Sequence, residues 1–298
     1  MNRTAGLALA AAGAGLFVHS QATRARREHP ARGRFIRGLH YLDAGYGAPV
    51  ALLHGLGSML EDFELSGVLA QAAQHYRVVA FDRPGYGYSG RGAFTPLGQA
   101  RLLHEAFLDL GLSRPVLVGH SFGALVAIAY ALAYPRHVRG LVLASGYFYP
   151  TPRVDAAVLV PPAIPLVGTV LRHTVSPLIG RLLWPAWLKL LFDPLPVPPA
   201  FKRLAWRALQ PAQLHTVGLE SAMLLAVTNG MRRRYSKIRA PSVILGGADD
   251  RYVSTRRHSE RLHEELRYST YIEVPGAGHM VHHSAPGMIL EAIALASR

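Results

Sequence analysis

Cysteine is absent from this chain of 298 residues. Its absence excludes disulfide bonds, a cysteine nucleophile and any metal site built on thiolate ligands, and it leaves the redox compartment open. Lysine is nearly absent as well, because Lys189, Lys202 and Lys237 are the only three. Acidic residues are few, with 18 Asp and Glu against 32 Lys and Arg, so the formal net charge is +14 and comes almost entirely from arginine.

A strong excess of positive charge raises the question of nucleic acid, whose phosphates are neutralised by clustered Lys and Arg. Most arginines are scattered here, and only 24–37 and 232–234 form runs. No nucleic-acid-binding motif accompanies either run, so we expect no nucleic acid partner. The first run follows an apolar segment, and an anionic membrane surface is the better partner for it.

The N-terminal segment 5–18 is uninterrupted apolar residues and glycine, with Arg3 before it and the arginine run after it. It is shorter than the about 20 residues that a membrane-spanning helix needs. Three interpretations remain open: a membrane anchor, a secretory signal cleaved near Ser20-Gln21-Ala22, or the frayed end of a soluble cytoplasmic protein. Because arginines resist export, the sequence favours association with the inner membrane and a cytoplasmic catalytic domain.

Beyond this leader, short Val, Leu and Ile runs bounded by turn residues alternate with segments of helical spacing. Near-continuous apolar strands separated by helices indicate parallel strands covered on both faces, so we predict one α/β domain with a doubly wound, mostly parallel sheet. The predicted strands are two within Gly33 to Ala44, then Val50 to Leu53, Arg77 to Phe81, Pro115 to Val118, Val138 to Ala144, Ser242 to Leu245 and Thr270 to Val274. A last helix is predicted from about Pro286.

The segment 147–235 interrupts this alternation. It holds 12 of the 21 prolines and all three tryptophans, Trp184, Trp187 and Trp206. Proline breaks helical hydrogen bonding, so we expect short helices joined at angles, forming a cap inserted between two core strands. The predicted divisions are a leader and basic linker over 1–32, the core over 33–146, the cap over 147–235 and the rest of the core over 236–298.

The segment Gly119-His120-Ser121-Phe122-Gly123 matches G-x-S-x-G, in which the serine occupies a sharp turn from a strand to a helix. A buried strand precedes it and an apolar helix follows. The two glycines suit the crowding of such a turn, where a Cβ atom would collide with neighbouring backbone. We therefore predict that Ser121 is a nucleophile, and that the neighbouring His120 points away from it.

A serine hydroxyl needs a base to take its proton. Among 15 histidines, His279 is favoured over His282 and His283, because a core strand leads directly into the glycine-rich loop before it. A carboxylate must hold the imidazole tautomer, and either Asp249 or Asp250 at the end of another strand could serve. The order serine, acid, histidine fits a hydrolase triad.

Together these motifs resemble the esterase and lipase-like members of the α/β-hydrolase superfamily, from about Gly38 to the C-terminus. His54-Gly55-Leu56-Gly57 resembles the oxyanion loop of that family, Asp82 to Ser89 resembles a turn that follows one of its strands, and Gly119 to Gly123 resembles its nucleophile elbow. From the residues alone, Asp82 to Ser89 is read as a rigid turn bordering the site.

The resemblance implies an eight-stranded α/β-hydrolase fold with an inserted helical cap. It also implies that the backbone N–H groups of Leu56 and Phe122 form an oxyanion hole. The family's Gly-x-x-Asp pattern before a short apolar residue matches the segment that begins at Gly247, and this match selects Asp250 over Asp249.

Serine at the nucleophile position disfavours the branches that resemble epoxide hydrolases and haloalkane dehalogenases, which use aspartate there. We therefore predict a carboxylic ester hydrolase that acts through an acyl-enzyme on a small hydrophobic ester. His54, Gly55, Trp184 and Trp187 are the predicted pocket residues. The alternatives are carbon–carbon bond hydrolysis, acyl transfer to an alcohol, perhydrolysis and ligand binding without catalysis. No cofactor or metal is predicted, since no H-E-x-x-H spacing is present, and the oligomeric state is left open.

Overall fold

An eight-stranded sheet forms the centre of the protein, for which the computed structural model describes residues 3–90 and 92–298. The strands are β1 (Arg34–Ile36), β2 (Leu39–Ala44), β3 (Pro49–Leu53), β4 (Arg77–Phe81), β5 (Val116–His120), β6 (Gly140–Ala144), β7 (Ser242–Gly247) and β8 (Ser269–Val274). Their order is β1-β2-β4-β3-β5-β6-β7-β8. The strands from β3 onward pair in parallel, while β2 pairs antiparallel with β1 and β4. The predicted fold class is confirmed.

Helices cover both faces of this sheet. The helices outside the segment between β6 and β7 are α1 (Arg3–Glu28), α2 (Glu61–Leu65), α3 (Val68–Ala72), α4 (Pro96–Asp109), α5 (Phe122–Ala133), α12 (Arg261–Glu265), α13 (Val281–Ser284) and α14 (Pro286–Ala296). Along β3, Ala51 and Leu53 face the cluster formed with α4 and α5, whereas Val50 and Leu52 face the cluster that includes α3 and α14. All four side chains are fully buried, which explains why the strand has no polar alternation.

The segment between β6 and β7 is helical. It contains α6 (Ala156–Leu159), α7 (Val167–His173), α8 (Val175–Phe192), α9 (Pro199–Arg203), α10 (Ala205–Ala208) and α11 (Pro211–Arg232). Pro199 and Pro211 open helices, a position where the missing N–H costs nothing. The expectation of short helices alone is wrong: α8 runs for 18 residues through Pro185, and α11 runs for 22 because its proline stands at its first residue.

The N-terminal segment forms one continuous helix, α1. Arg24, Arg26 and Arg27, the first arginines of the run that we expected to form a linker, lie within this helix, which ends at Glu28. Thr4–Glu28 is long and apolar enough to cross a membrane, by length and composition only. Its second half packs on the cap, where Val18 is buried and the rings of Phe17 and Trp206 lie 6.0 Å apart, edge to face.

Candidate active site

Ser121 occupies the turn between β5 and α5 with strained backbone angles, φ 52° and ψ −116°. The flanking glycines make this turn feasible. A Cβ atom on Gly119 would lie 2.5 Å from the amide nitrogen of Ala124, and one on Gly123 would lie 2.1 Å from the carbonyl oxygen of Leu53. A non-glycine residue with positive φ costs on the order of 1–3 kcal/mol, so the surrounding packing holds Ser121 in this conformation.

The structure brings Ser121, His279 and Asp250 together. His279 Nε2 lies 3.1 Å from Ser121 Oγ, and His279 Nδ1 lies 2.8 Å from Asp250 Oδ2. Since the carboxylate accepts a hydrogen bond from Nδ1–H, Nε2 carries the lone pair and can accept the serine proton. The other oxygen of Asp250 accepts the backbone N–H groups of Tyr252 (2.9 Å) and Val253 (2.7 Å), which fixes the carboxylate.

Asp249 lies outside this arrangement. Asp249 is exposed, and its backbone N–H donates to the carbonyl oxygen of Ala277 at 2.9 Å. Of the two aspartates that the residues alone left open, the structure places Asp250 against His279.

Glycines also let the His279 loop pass between the core and the cap. A Cβ atom on Gly278 would lie 1.9 Å from the carbonyl oxygen of Asp193 in the cap. One on Gly247 at the end of β7 would lie 2.3 Å from the carbonyl oxygen of Gly278. The backbone that carries His279 can approach both neighbours only without side chains at these positions.

His120 does not point away from the site as we expected. Its Nε2–H donates to the backbone carbonyl oxygen of His279 at 3.0 Å, and the residue borders the same cavity as Ser121. Burial, with the neighbouring imidazoles of His282 and His279, lowers the pKa of His120 well below the ordinary value. His120 is therefore a neutral donor that ties the nucleophile turn to the His279 loop.

The predicted oxyanion donors belong to two segments next to Ser121, the loop after β3 and the start of α5. Phe122 is the first residue of α5, so its N–H is among the amides that have no acceptor within the helix. Leu56 lies in the loop after β3 and lines the cavity beside Ser121. That loop is tightly apposed to the elbow, since a Cβ atom on Gly55 would lie 3.1 Å from Ser121 Cβ.

A buried ion pair that sequence reasoning missed supports this loop from behind. Arg83 and Glu220 are both 0% exposed and their closest contact is 2.6 Å. Arg83 also donates to the carbonyl oxygens of His54 (2.8 Å) and Gly55 (3.0 Å), and Tyr86 donates its hydroxyl to Glu220 at 2.6 Å. Because Glu220 lies on α11, the pair joins the cap to the oxyanion loop.

The prediction that His54 lines the substrate pocket is wrong. His54 is fully buried, its Nδ1–H donates to Gly55 O at 2.8 Å, and its Nε2 accepts the backbone N–H of Arg83 at 2.9 Å. Burial, with the adjacent Arg83 cation, lowers the pKa of His54 to about 3. Both ring nitrogens are used to shape the loop, so the side chain braces the site from outside the cavity.

One sequence signal for the ion pair of Arg83 and Glu220 existed, since Glu220 is one of only three acidic residues in 147–235.

The turn after β4 is rigid, as interpreted from the sequence. The buried Asp82 accepts the backbone N–H groups of Leu60 (2.8 Å) and Tyr88 (2.9 Å) and bonds to the ring of His40 at 2.7 Å. Its carboxylate replaces the backbone acceptors that a sheet would provide.

A second carboxylate and imidazole group lies beside the first. His282 and His283 both place Nε2 near Asp62 Oδ1, at 2.9 Å and 2.7 Å. Among the described residues, this is the one group of three such side chains spaced to hold a metal ion. These hydrogen bonds use one nitrogen of each imidazole, and the buried Nδ1 of His282 has no hydrogen-bond partner among the described residues. Burial opposes ionisation of Asp62, but the two imidazole donors prevail and hold its pKa well below the usual range.

An apolar cavity of about 120 Å³ lies above Ser121, between the sheet edge and the cap. Gly55, Trp184 and Trp187 line it as predicted, with further aliphatic side chains from α6, α8 and α11. Val158 and Leu183 are lining residues that are also 45% and 40% exposed, so they lie at the mouth of the cavity. The geometry therefore combines an apolar binding space with a serine whose proton His279 can accept.

Comparison with known proteins shows the family of the chain. The model of the "Alpha/beta hydrolase family" matches residues 50–292. Haloalkane dehalogenase 2 of Mycobacterium tuberculosis is 27% identical over 267 residues, or 86% of this chain and 90% of that protein. The 2-hydroxy-6-oxo-2,4-heptadienoate hydrolase of Pseudomonas putida is 34% identical over 138 residues, or 44% of this chain and 50% of that protein.

Among solved structures, an esterase from Exiguobacterium antarcticum superimposes with a TM-score of 0.72 at 20% identity, covering 88% of this chain and 98% of the esterase. At that identity the likeness shows the fold alone.

Proposed function

The chain belongs to the alpha/beta hydrolase family, and we propose that it hydrolyses carboxylic esters with an apolar acyl or alcohol group. The observation that carries this proposal is the hydrogen-bonded series from Ser121 through His279 to Asp250, directly beneath an apolar cavity. These side chains supply a nucleophile, a base and an acid that orients the base, the set that acyl chemistry requires.

In the proposed reaction, Ser121 Oγ attacks the ester carbonyl carbon while His279 Nε2 takes the hydroxyl proton. The oxyanion that forms accepts hydrogen bonds from the backbone N–H groups of Leu56 and Phe122. The carbon–oxygen bond to the alcohol breaks, and the alcohol leaves with the proton held by His279. A water molecule then attacks the acyl-enzyme while His279 takes one of its protons. The bond between the acyl carbon and Ser121 Oγ breaks, His279 returns the proton to Oγ, and the acid is released.

Position 121 separates this proposal from the reaction named for the dehalogenase relative. The aspartate expected at the nucleophile position of such enzymes is a serine here. A serine hydroxyl forms an ester with an acyl group, which water can hydrolyse. The overall similarity to that relative thus reports shared ancestry of the fold and leaves the reaction to the site.

The cavity also separates ester hydrolysis from the reaction of the heptadienoate hydrolase. A dienoate carries a carboxylate, which proteins recognise with Arg or Lys. The described residues that line the cavity include no Arg and no Lys, and most are aliphatic or aromatic. An uncharged apolar ester is therefore the better substrate, with water as the acceptor.

The test is the hydrolysis of p-nitrophenyl esters from acetate to decanoate by purified wild-type protein, Ser121→Ala and Ser145→Ala. Ser145 is a matched control, because it is a buried serine at the end of the next strand with no hydrogen-bond partner for Oγ among the described residues. We expect turnover by wild type and Ser145→Ala and about a 10⁴-fold or larger loss in Ser121→Ala. Equal rates in wild type and Ser121→Ala would contradict the proposal. Cleavage of β-diketones with no cleavage of esters would favour carbon–carbon hydrolysis instead.

A further inference from the structure

The outer surface of the cap is unusually apolar. Twelve large hydrophobic side chains between positions 154 and 195 are exposed, and Val154, Leu166 and Leu182 are 96%, 87% and 80% exposed. We define these twelve side chains, from Val154 to Leu195, as the outer cap surface. Exposed apolar side chains in such number within one helical segment are candidates for an interaction surface.

Helix α1 continues this surface. It packs on α7, α8 and α10, and a Cβ atom on Gly15 would lie 3.8 Å from the carbonyl oxygen of His173 at the end of α7. Leu9, Leu16 and Phe17 are exposed along the helix. Apolar side chains of α1 and of the cap are thus presented by helices in direct contact.

Positive charge predominates on these segments. Their acidic residues are Glu28, which pairs with Arg24 at 2.7 Å, and Asp155 and Asp193 near the two ends of the cap stretch. No Asp or Glu occurs in residues 156–192, where Arg172, Arg181 and Lys189 are the only charged residues. None occurs in residues 1–27 either, and Arg24 and Arg27 are exposed near the end of α1. Apolar helices flanked by exposed arginine and lysine are typical of proteins that lie in the interface of an anionic bilayer.

The cavity above Ser121 shares two residues with the outer cap surface. Val158 and Leu183 belong to the outer cap surface and line the cavity at the same time. An apolar molecule in a bilayer against this surface would reach the cavity without crossing water. Leaving a bilayer through water costs about 0.8 kcal/mol for each CH₂ group, so direct entry favours long-chain substrates.

We propose that α1 and the outer cap surface together dock on an anionic phospholipid bilayer, and that the enzyme takes its ester substrate from that bilayer. The identity of the substrate as a membrane-dissolved ester rests on the proposed function, whereas the docking does not. Membrane contact through the cap goes beyond anchoring by α1, because an anchor alone leaves the orientation of the cap open.

The three tryptophans provide a built-in probe, since all of them lie in the cap. The full-length protein is mixed with vesicles of phosphatidylglycerol and phosphatidylcholine that carry bromine on the acyl chains, which quenches tryptophan only at close range. We expect strong quenching for wild type and Ser121→Ala, and at least threefold less for the double variant Leu166→Glu, Leu182→Glu. The matched control is Leu108→Glu, on the 59% exposed Leu108 of α4 in the core, and it should be quenched like wild type.

Substrate delivery is measured in parallel, with a soluble p-nitrophenyl ester and with a long-chain ester dissolved in unbrominated vesicles. The double variant should keep wild-type activity on the soluble ester, which also verifies its fold, and lose at least tenfold on the dissolved ester. Vesicle-bound wild type without quenching, or a double variant quenched and active like wild type, would overturn the docking. Absence of activity towards both esters with quenching intact would instead refute the proposed function and leave the docking standing.

Discussion

Two carboxylate and imidazole groups lie side by side at the same edge of the sheet, and they differ in what the second ring nitrogen meets. In the first, Asp250 holds one nitrogen of His279 and the other faces Ser121 Oγ at 3.1 Å. In the second, His282 and His283 both direct Nε2 to a single oxygen of Asp62. The second nitrogen of His282, Nδ1, is buried and has no hydrogen-bond partner among the described residues.

The ring of His120 lies between the groups, with its centroid 5.0 Å from that of His279 and 4.3 Å from that of His282. The same residue types thus provide the proposed base in one place and a proposed brace in the other. We infer different roles because a serine hydroxyl lies within hydrogen-bond distance of His279, whereas the residue types in the two groups are the same.

The largest difference between the two groups is expected in kcat when His279 and His282 are each replaced by glutamine. His279→Gln removes the proposed base and should lower kcat for a p-nitrophenyl ester by about 10⁴-fold or more. His282→Gln leaves the base in place and should change kcat by less than about tenfold. The rates are measured on purified variants with matching circular dichroism spectra. Comparable losses in both would mean that the groups are not distinct in role.

Replacing the acids sharpens the comparison further. Asp250→Asn keeps the shape but loses the charge that orients the imidazole, and the expected loss in kcat is on the order of 10⁴-fold. Asp249→Asn is the matched control, because Asp249 is exposed and lies outside the hydrogen-bonded series. A steady-state assay at saturating ester decides between them. The assignment of the acid fails if Asp249→Asn is the more damaging variant.

The free energy of unfolding should fall more when Asp62 is replaced than when Asp250 is replaced. Asp62 is 1% exposed and accepts from two imidazoles, so Asp62→Ala leaves buried donors without an acceptor and should cost about 3 kcal/mol of unfolding free energy. Asp250→Asn retains an acceptor at its position and should cost less than half as much. Urea unfolding of both variants measures the difference. A stable Asp62→Ala variant would show that the second group is not a brace.

The smallest expected effect is a pH dependence of stability. Burial lowers the pKa of His282, with Asp62 opposing the shift, whereas the unfolded value is about 6.5. Below pH 6.5 the unfolded chain therefore binds a proton that the folded chain refuses, so stability falls as pH falls from 6.5 towards the folded pKa. His282→Gln should flatten this slope by at most about 1.4 kcal/mol per pH unit. Urea unfolding at pH 7, 6 and 5 tests this. An unchanged slope in His282→Gln would mean that a group other than His282 takes up the proton on unfolding.

Local pattern was enough to predict the parts of the site that local backbone geometry dictates. A strand, a glycine and a steric constraint place Ser121, and a strand leading into a glycine loop places His279. These features require only neighbours in sequence. The sheet followed from the same short-range signals, because fully buried strands must be apolar on both faces.

Contacts between the cap and the core lay beyond such reasoning. Arg83 and Glu220 are 137 positions apart, and only the packed structure puts them within 2.6 Å. The same pair turns His54 into a brace for the oxyanion loop, where the sequence indicated a pocket residue. The packing of α1 on the cap also depends on tertiary contacts, such as the hydrogen bond from Arg26 to Gln210 at 2.8 Å.

The measurement that tests the central claim most directly is the reaction of the folded protein with a fluorophosphonate, followed by intact mass and peptide mapping. A serine activated by an imidazole forms a stable phosphonyl ester at Oγ. The account predicts one adduct, on Ser121, that is lost in Ser121→Ala and forms far more slowly in His279→Gln but not in His282→Gln. An unlabelled wild type, or an adduct that persists in Ser121→Ala, would contradict it.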